Sequence, residues 1–262
     1  MTAQKENDQL TALLSTHFFS KDNPSMALAH MPPLLKTQLA HLASWWAGYF
    51  DEAGQLFNEN GVDAPLSLND DVGFYQPDYW PYVEYLDGDH QGATNLYNVT
   101  GTESYIEIPR RGLTLTGFFG LVNTGGAISH TFGKWGEASS RSYRIAMTPA
   151  NQPIFQVTTD GINIVSVTSS VVIAEGDFYY VCGRFDPGAG LYITVNEVTD
   201  SNLVGVPASL YTSAFTGISI GREYSGGQES EMRMAWCSVH GAFHANQFVF
   251  QTREMSYNTF KS

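Results

Sequence analysis

The chain has 262 residues, of which 43% are hydrophobic and 13% aromatic, enough to build a sizeable apolar core. Its 13 Lys and Arg oppose 26 Asp and Glu, and the formal net charge of −13 disfavours nucleic acid and anionic membrane surfaces as partners. The opening residues, MTAQKENDQL, lack the apolar run of a signal peptide, and no apolar run is long enough to span a bilayer. We therefore expect a globular protein that is made in the cytoplasm and does not insert into membranes.

Residues 1–60 carry apolar side chains at helical spacing and predict an α-helical arm. One stripe lies in residues 3–19, and a heptad-like stripe follows Pro32 and Pro33. We expect the second stripe to dock the arm on another subunit. The alternative is an arm that folds back over its own domain, and the sequence does not separate the two. The first stripe consists of Leu10, Leu13, Leu14 and Phe18, and the residues assigned to assembly in the second are Leu35, Leu39, Leu42, Trp46 and Tyr49.

Residues 61–98 form an acidic, aromatic-rich connector that contains no Lys or Arg. Aromatic ring faces can stack on sugars and carboxylates accept hydrogen bonds from hydroxyl groups, so one hypothesis places a glycan site here. The alternative is that the aromatic side chains only hold a long loop against the domain. The candidate binding residues are Tyr75, Tyr79, Trp80, Tyr82, Asp87 and Asp89.

From residue 99 onward the hydrophobic pattern alternates with period two, and turn signals separate short runs without helical crossovers. This pattern predicts a mainly β domain over residues 99–262, an antiparallel jelly-roll sandwich. Residues 243–254 are expected to close it as a short helix or turn and then a strand-like tail. The predicted strands are 105–108, 113–122, 127–135, 143–147, 154–158, 163–167, 178–185, 191–195, 217–221 and 232–239.

The run from Asp177 to Asn196, DFYYVCGRFDPGAGLYITVN, predicts a hairpin inside the sandwich. Its first half has aromatic and β-branched residues on both faces, and the Pro-Gly turn leads into a second alternating strand. We expect Phe185 of this hairpin, and Trp236 in a later strand, to lie in the core.

With five further runs in the same order, this hairpin resembles the laminin G-like members of the concanavalin A-like lectin and glucanase superfamily. The resemblance implies a concanavalin A-like sandwich whose rim loops bind glycans or proteins. It also implies a possible calcium ion at the rim, for which Asp160, Asp186, Asp87 and Asp89 are the possible oxygen donors, and no other cofactor. The further runs are 102–108, Phe132-Gly133-Lys134-Trp135, 142–145, 218–221 and 232–240.

The catalytic pattern of the superfamily's glycoside hydrolases is not found in this sequence. Those enzymes place two glutamates and an aspartate on one strand face as E-x-D-x-E, whereas Glu175-Gly176-Asp177 is followed by aromatic residues. Glu229 and Glu231 alternate, but the preceding glycines indicate an exposed hairpin tip. We therefore assign no catalytic residue.

Metal and thiol chemistry has only weak signals. His240 and His244 have the i, i+4 spacing of helical metal ligands, but Gly241 between them disfavours a helix, and we assign no metal. Cys182 and Cys237 lie in strand-like runs, where two buried free thiols are expected and a bridge between neighbouring strands is the alternative.

These observations predict a non-catalytic structural or recognition protein. Similar sandwiches behind helical arms occur in tailed-phage virion proteins, so we expect a virion component, either capsid decoration or a tail- or fibre-associated protein, with other structural subunits or further copies as partners. The first alternative is a stand-alone glycan-binding module, and the second is a divergent glycoside hydrolase.

Overall fold

The computed structural model describes residues 42–50, 56–58, 72–75, 85–88, 112–123, 126–212, 218–221, 223, 228 and 231–260. Within these ranges the chain is almost entirely β, with one long helix near the C-terminal end. The elements are β1 (Leu42–Phe50), β2 (Leu56–Asn58), β3 (Val72–Tyr75), β4 (Tyr85–Gly88), β5 (Leu113–Asn123), β6 (Ser129–Lys134), β7 (Tyr143–Met147), β8 (Pro153–Thr158), β9 (Ile164–Thr168), β10 (Phe178–Asp186), β11 (Gly190–Val195), β12 (Val198–Asn202), β13 (Ser219–Ile220), β14 (Glu231–His240) and α1 (Asn246–Phe260).

The described strands form two antiparallel sheets. Sheet A has the order β12-β11-β10-β5-β14. On its other edge, β14 has two partners. The second half of β14 pairs with β1, which pairs with β2, and the first half of β14 pairs with β4, which pairs with β3. Sheet B has the order β13-β6-β7-β8-β9. The two sheets pack face to face as a β-sandwich.

The core between the sheets follows from the alternation along each strand. In β7, Tyr143, Ile145 and Met147 face sheet A and are fully buried, so the residues between them face away from it. Gly183 of β10 leaves room for the facing sheet, because a Cβ there would lie 2.7 Å from the ring of Phe155. The packing is therefore close as well as apolar.

Helix α1 covers the outer face of sheet A. The hydroxyl oxygens of Tyr180 on β10 and Thr252 on the helix lie 2.7 Å apart, and the ring of Phe118 on β5 lies 5.4 Å from that of Tyr257. At the start of the helix, Arg184 donates hydrogen bonds to the backbone oxygen of His244 and to Asn246 Oδ1. Strand β10 is thus buried on both faces, between the core and the helix, which explains why it is apolar on both sides.

The two cysteines lie on opposite faces of sheet A. Cys182 shares its face with Tyr180 beneath the helix, whereas Cys237 belongs to the core between the sheets. Both are free thiols, and burial raises the pKa of Cys182 to about 12 and that of Cys237 above its usual value. The expectation of two buried thiols is confirmed.

The helix predicted across Leu42, Trp46 and Tyr49 is wrong. Residues Leu42–Phe50 form β1, which pairs antiparallel with β14 so that Leu42 lies opposite His240 and Trp46 opposite Cys237. The sequence LASWWAGYF is rich in aromatic residues that favour strands, and its glycine disfavours a helix, so pairing with β14 prevails over the stripe. The remainder of the predicted arm, including Leu35 and Leu39, lies outside the described residues.

In the β domain, nine of the ten predicted strands coincide with observed strands, and 105–108 lies outside the described residues. Phe185 is buried in the core as expected, whereas the side chain of Trp236 is not among those described. The strand-like tail expected after residue 243 is wrong, because α1 continues through Phe260. No helix in the described part of the chain is long and apolar enough to cross a membrane.

Candidate functional site

The outer face of sheet B carries a cation–aromatic arrangement that we call the Trp135 cluster. It consists of Trp135, Arg141, Arg144, Gln156 and Gln228. Arg144 lies on β7 between core residues and therefore points away from sheet A. Trp135 and Arg141 belong to the connection that follows β6.

The guanidinium of Arg144 is fixed by three neighbours. Its Nε donates to Gln156 Oε1 at 2.7 Å across the β7–β8 ladder, where the two residues are direct partners. Its Nη1 donates to Gln228 Oε1 at 2.6 Å, and its centre lies 4.3 Å from the centre of the Trp135 ring. Each contact suits a planar cation with several N–H donors, so Arg144 is held in one orientation.

Backbone geometry makes the close approach possible. Gly133 of β6 is the direct partner of Arg144 and adopts φ +146°, and a Cβ there would lie 2.6 Å from the Arg144 Cα atom. Only glycine fits this position without a shift of the backbone. The Phe132-Gly133-Lys134-Trp135 run therefore serves both the sheet and the cluster.

The cluster is electrostatically costly. The pKa of Arg144 is lowered to about 9, chiefly by burial, while the charge of Glu223 acts to raise it and the charge of Arg141 acts to lower it. His130 in the adjacent strand β6 has its pKa lowered to about 3, first by burial and second by the charge of Arg144. The site therefore holds a buried cation at neutral pH beside a neutral imidazole.

The mouth of the cluster is formed by Arg141 and Gln228. Arg141 is half-buried, whereas Arg144 is buried, and the guanidinium of Arg141 lies 5.7 Å from the centre of the Trp135 ring. Its Nε donates to the backbone oxygen of Gly136 at 3.2 Å, which leaves its two terminal nitrogens without a partner among the described residues. Gln228 is exposed, and its backbone oxygen accepts a hydrogen bond from the His130 N–H at 2.6 Å. A carboxylate reaching this mouth would meet N–H donors suited to pair with it.

Two of the connector residues proposed as a glycan site, Tyr75 and Asp87, lie in described strands away from the Trp135 cluster. Tyr75 is the last residue of β3 and is opposite Tyr85, and Asp87 in β4 is opposite Arg233 of β14. Both strands belong to sheet A, whereas the Trp135 cluster belongs to sheet B. Tyr79, Trp80, Tyr82 and Asp89 lie outside the described residues, so the structure leaves that hypothesis untested.

Asp160, one of the carboxylates expected at the rim, accepts hydrogen bonds within its own turn. Its Oδ1 accepts hydrogen bonds from the N–H groups of Ile162 and Asn163, and its Oδ2 accepts one from the Asn163 side chain. These bonds, that of Ile162 first, lower its pKa to about 2. Within the described ranges, no three His, Cys, Asp or Glu side chains come together as a metal set would require.

The two histidines of the i, i+4 pair do not share a helix. His240 ends β14, and His244 lies in the connection before α1. Their rings are in T-shaped contact with centres 4.9 Å apart, and the His244 ring stacks on Phe248 at 4.0 Å. Both contribute to the packing of α1 against sheet A.

The Trp135 cluster was missed in the sequence because its residues lie on two strands, β7 and β8, and on two connections. The available signal was charge: Lys134, Arg141 and Arg144 supply three of the 13 basic residues within eleven positions beside a tryptophan. The predicted strands 127–135 and 143–147 accounted for Lys134 and Arg144 as strand residues, and the cross-strand partner Gln156 is twelve residues beyond Arg144.

Comparison of the fold with solved structures finds similar sandwiches at very low sequence identity. The binding domain of Paraclostridial Mosquitocidal Protein 1 superposes with a TM-score of 0.65 at 8% identity, covering 84% of this chain and 53% of that one. The Trypanosoma rangeli sialidase in complex with sialic acid gives 0.59 at 10%, covering 84% and 33%. The Botulinum neurotoxin serotype D ligand binding domain in complex with N-acetylneuraminic acid gives 0.60 at 8%, covering 82% and 50%.

These similarities establish the fold. The chain spans about half the length of the toxin binding domains and a third of the sialidase chain. No protein-family model matches the chain, and no curated protein matches it in sequence. The fold is thus a concanavalin A-like sandwich of the kind seen in toxin binding domains, and the ligand has to be argued from this chain's own residues.

Proposed function

We propose that this protein is a non-catalytic recognition module that binds an acidic glycan at the mouth of the Trp135 cluster. The observation that carries the proposal is that Arg141 and Arg144 both lie against the Trp135 ring, with Arg144 buried and Arg141 partly exposed. In a chain of net charge −13, a local pair of arginines backed by an aromatic ring favours an anionic group.

Two of the similar structures support a carboxylated sugar as the ligand class. Both the sialidase and the serotype D domain are described in complex with sialic acid or N-acetylneuraminic acid, a sugar with a carboxylate. Arg141 would pair with that carboxylate, Gln228 would bond to hydroxyl or amide groups, and Arg144 beneath them would add its charge. Display of the module on a virion, expected from the arm, stays a prediction.

The test compares two variants that remove the same charge. Arg141→Gln should weaken binding of an N-acetylneuraminic acid glycan by roughly 10- to 100-fold, the loss expected for a charge-assisted hydrogen bond. Arg253→Gln is the matched control, since Arg253 lies on α1 over Phe250, on the other sheet's side. Titration calorimetry at fixed ionic strength measures both affinities.

The outcomes are distinct. The control should bind as the parent does, and the glycan should be recovered unhydrolysed after incubation. Equal affinity for the parent and Arg141→Gln proteins, or no saturable binding by the parent, would remove the Trp135 cluster as the site. Turnover of the glycan would overturn the non-catalytic assignment.

A further inference from the structure

One edge of the sandwich is strongly apolar on its surface. We call it the aliphatic edge patch, and it lies where β9, the last strand of sheet B, meets β12, the last strand of sheet A. Its most exposed members are Val204 at 81%, Ile162 and Leu203 at 61% each, and Val172 at 60%. The patch consists of Ile162, Ile164, Val172, Val198, Leu203 and Val204.

Two sets of hydrogen bonds bring these side chains to one edge. Asn202 Nδ2 donates to the backbone oxygen of Ser166 at 2.9 Å, which sets Leu203 and Val204 beside β9. The backbone N–H of Ser170 donates to Asp200 Oδ2 at 2.8 Å, which ties the connection carrying Val172 to β12. The patch is therefore held by the sandwich itself.

Exposed aliphatic surface of this extent marks a place where another apolar surface docks. β9 pairs with β8 and β12 pairs with β11, and neither has a second partner strand among the described residues. An edge strand without a partner can pair with strands of other chains, so native sheets usually cover such edges.

We propose that the aliphatic edge patch is covered by this chain's own N-terminal segment, residues 1–41, through its apolar stripe Leu10, Leu13, Leu14 and Phe18. The charges fit this occupant. Residues 1–41 contain three Lys and three acidic residues and are formally neutral, so the rest of the chain carries the whole net charge of −13. The neutral segment meets no repulsion from the acidic sandwich, whereas a second acidic sandwich would.

The length of the segment also fits. It joins the sandwich at β1, five strand positions from β12 in sheet A, a distance of about 24 Å at the usual strand spacing. Forty-one residues reach about 60 Å even if fully helical. A tethered segment that can span the distance has an effective concentration in the millimolar range, far above that of a second copy in dilute solution.

Crosslinking of the full-length chain tests this contact. Leu13→Cys combined with Val204→Cys places one reactive thiol on the stripe and one on the patch, while Cys182 and Cys237 are buried and have raised pKa values. A short bifunctional maleimide should join the two within one chain, at a yield that does not depend on protein concentration. The control pair is Leu13→Cys with Ala127→Cys, exposed before β6 and three strands from β9.

Proteolysis of the full-length chain is a second test of the proposed contact. Lys21 and Lys36 are trypsin sites inside the segment, and Leu203→Ser with Val204→Ser should speed cleavage there by roughly tenfold with little change in the melting temperature. A crosslinked product of twice the chain mass would replace the proposal with docking of a second copy. Crosslinking no higher than in the Ala127 control, or unchanged cleavage, would overturn it.

Discussion

At the scale of single residues, buried His130 couples the fold to pH. Its Nε2 donates a hydrogen bond to the Ser219 backbone oxygen at 3.0 Å, yet burial and the Arg144 charge lower its pKa from 6.5 to about 3. Below pH 6.5 the unfolded chain binds a proton there and the folded chain does not. The contribution to stability is therefore complete above pH 6.5 and is lost as pH falls towards 3, by up to about 1.4 kcal/mol per pH unit.

His130→Gln isolates this effect from the other titrating groups. Urea unfolding of both proteins between pH 7 and pH 4 should show a shallower decline for the variant, by up to one proton's slope. Parallel declines would mean that the folded state protonates His130 as readily as the unfolded chain.

Single residues of the candidate site were also the hardest to predict. Trp135 and Arg144 were predicted to lie in strands, and Arg144 does lie inside β7, whereas Trp135 is the residue directly after β6. Their role in the Trp135 cluster depends on Gln156 and Gln228. The register of the β7–β8 pair places Gln156 next to Arg144, and the connection before β14 places Gln228 there. Such contacts form between residues that are distant in the sequence, and the spacing of hydrophobic residues along one strand does not show which strands will be neighbours.

At the scale of elements, strands with strict alternation were predictable, as the agreement at β7 (Tyr143–Met147) shows. The strand β12 was missed because its sequence, VTDSN, is short and polar and forms only as a partner of β11. The apolar stripe over residues 42–49 predicted a helix where the structure has β1. Its 4–3 spacing fits a helix, but the free partner edge of β14 is a long-range feature that local spacing does not show.

The docking of helix α1 on sheet A can be measured. Thr252→Ala removes the hydrogen bond between the helix and the buried Tyr180 hydroxyl, and the loss of one such bond costs about 0.5 to 1.5 kcal/mol. Because Cys182 lies beneath the helix, alkylation of its thiol should become about tenfold faster per 1.4 kcal/mol of weakened docking. Peptide mass spectrometry after timed labelling separates Cys182 from Cys237.

Two controls accompany this measurement. Cys237 reports the core between the sheets in the same molecule, and its labelling rate should not change. Gln247→Ala alters an exposed helix residue and should leave both rates as in the parent. If Thr252→Ala accelerates both thiols equally, the helix and the sandwich open as one cooperative unit.

At the scale of the whole molecule, net charge and local charge oppose each other. The chain carries −13 overall, while the mouth of the Trp135 cluster presents the half-exposed Arg141 above the buried Arg144. At about 10 mM salt the Debye length is roughly 30 Å, so an approaching anionic glycan is exposed to the field of the whole protein. At about 150 mM it is roughly 8 Å, and only the charges at the mouth matter.

The association rate of an acidic glycan should therefore rise between about 10 and 150 mM salt, whereas binding to a mainly cationic surface slows. Stopped-flow measurement on N-acetylneuraminic acid glycan and on its uncharged methyl ester separates charge from other salt effects, since the ester's rate should stay constant. The dissociation rate of the acid should rise as well, because salt also screens its pair with Arg141. An association rate that falls with salt would show that the local cations outweigh the net charge at long range and would contradict this electrostatic account.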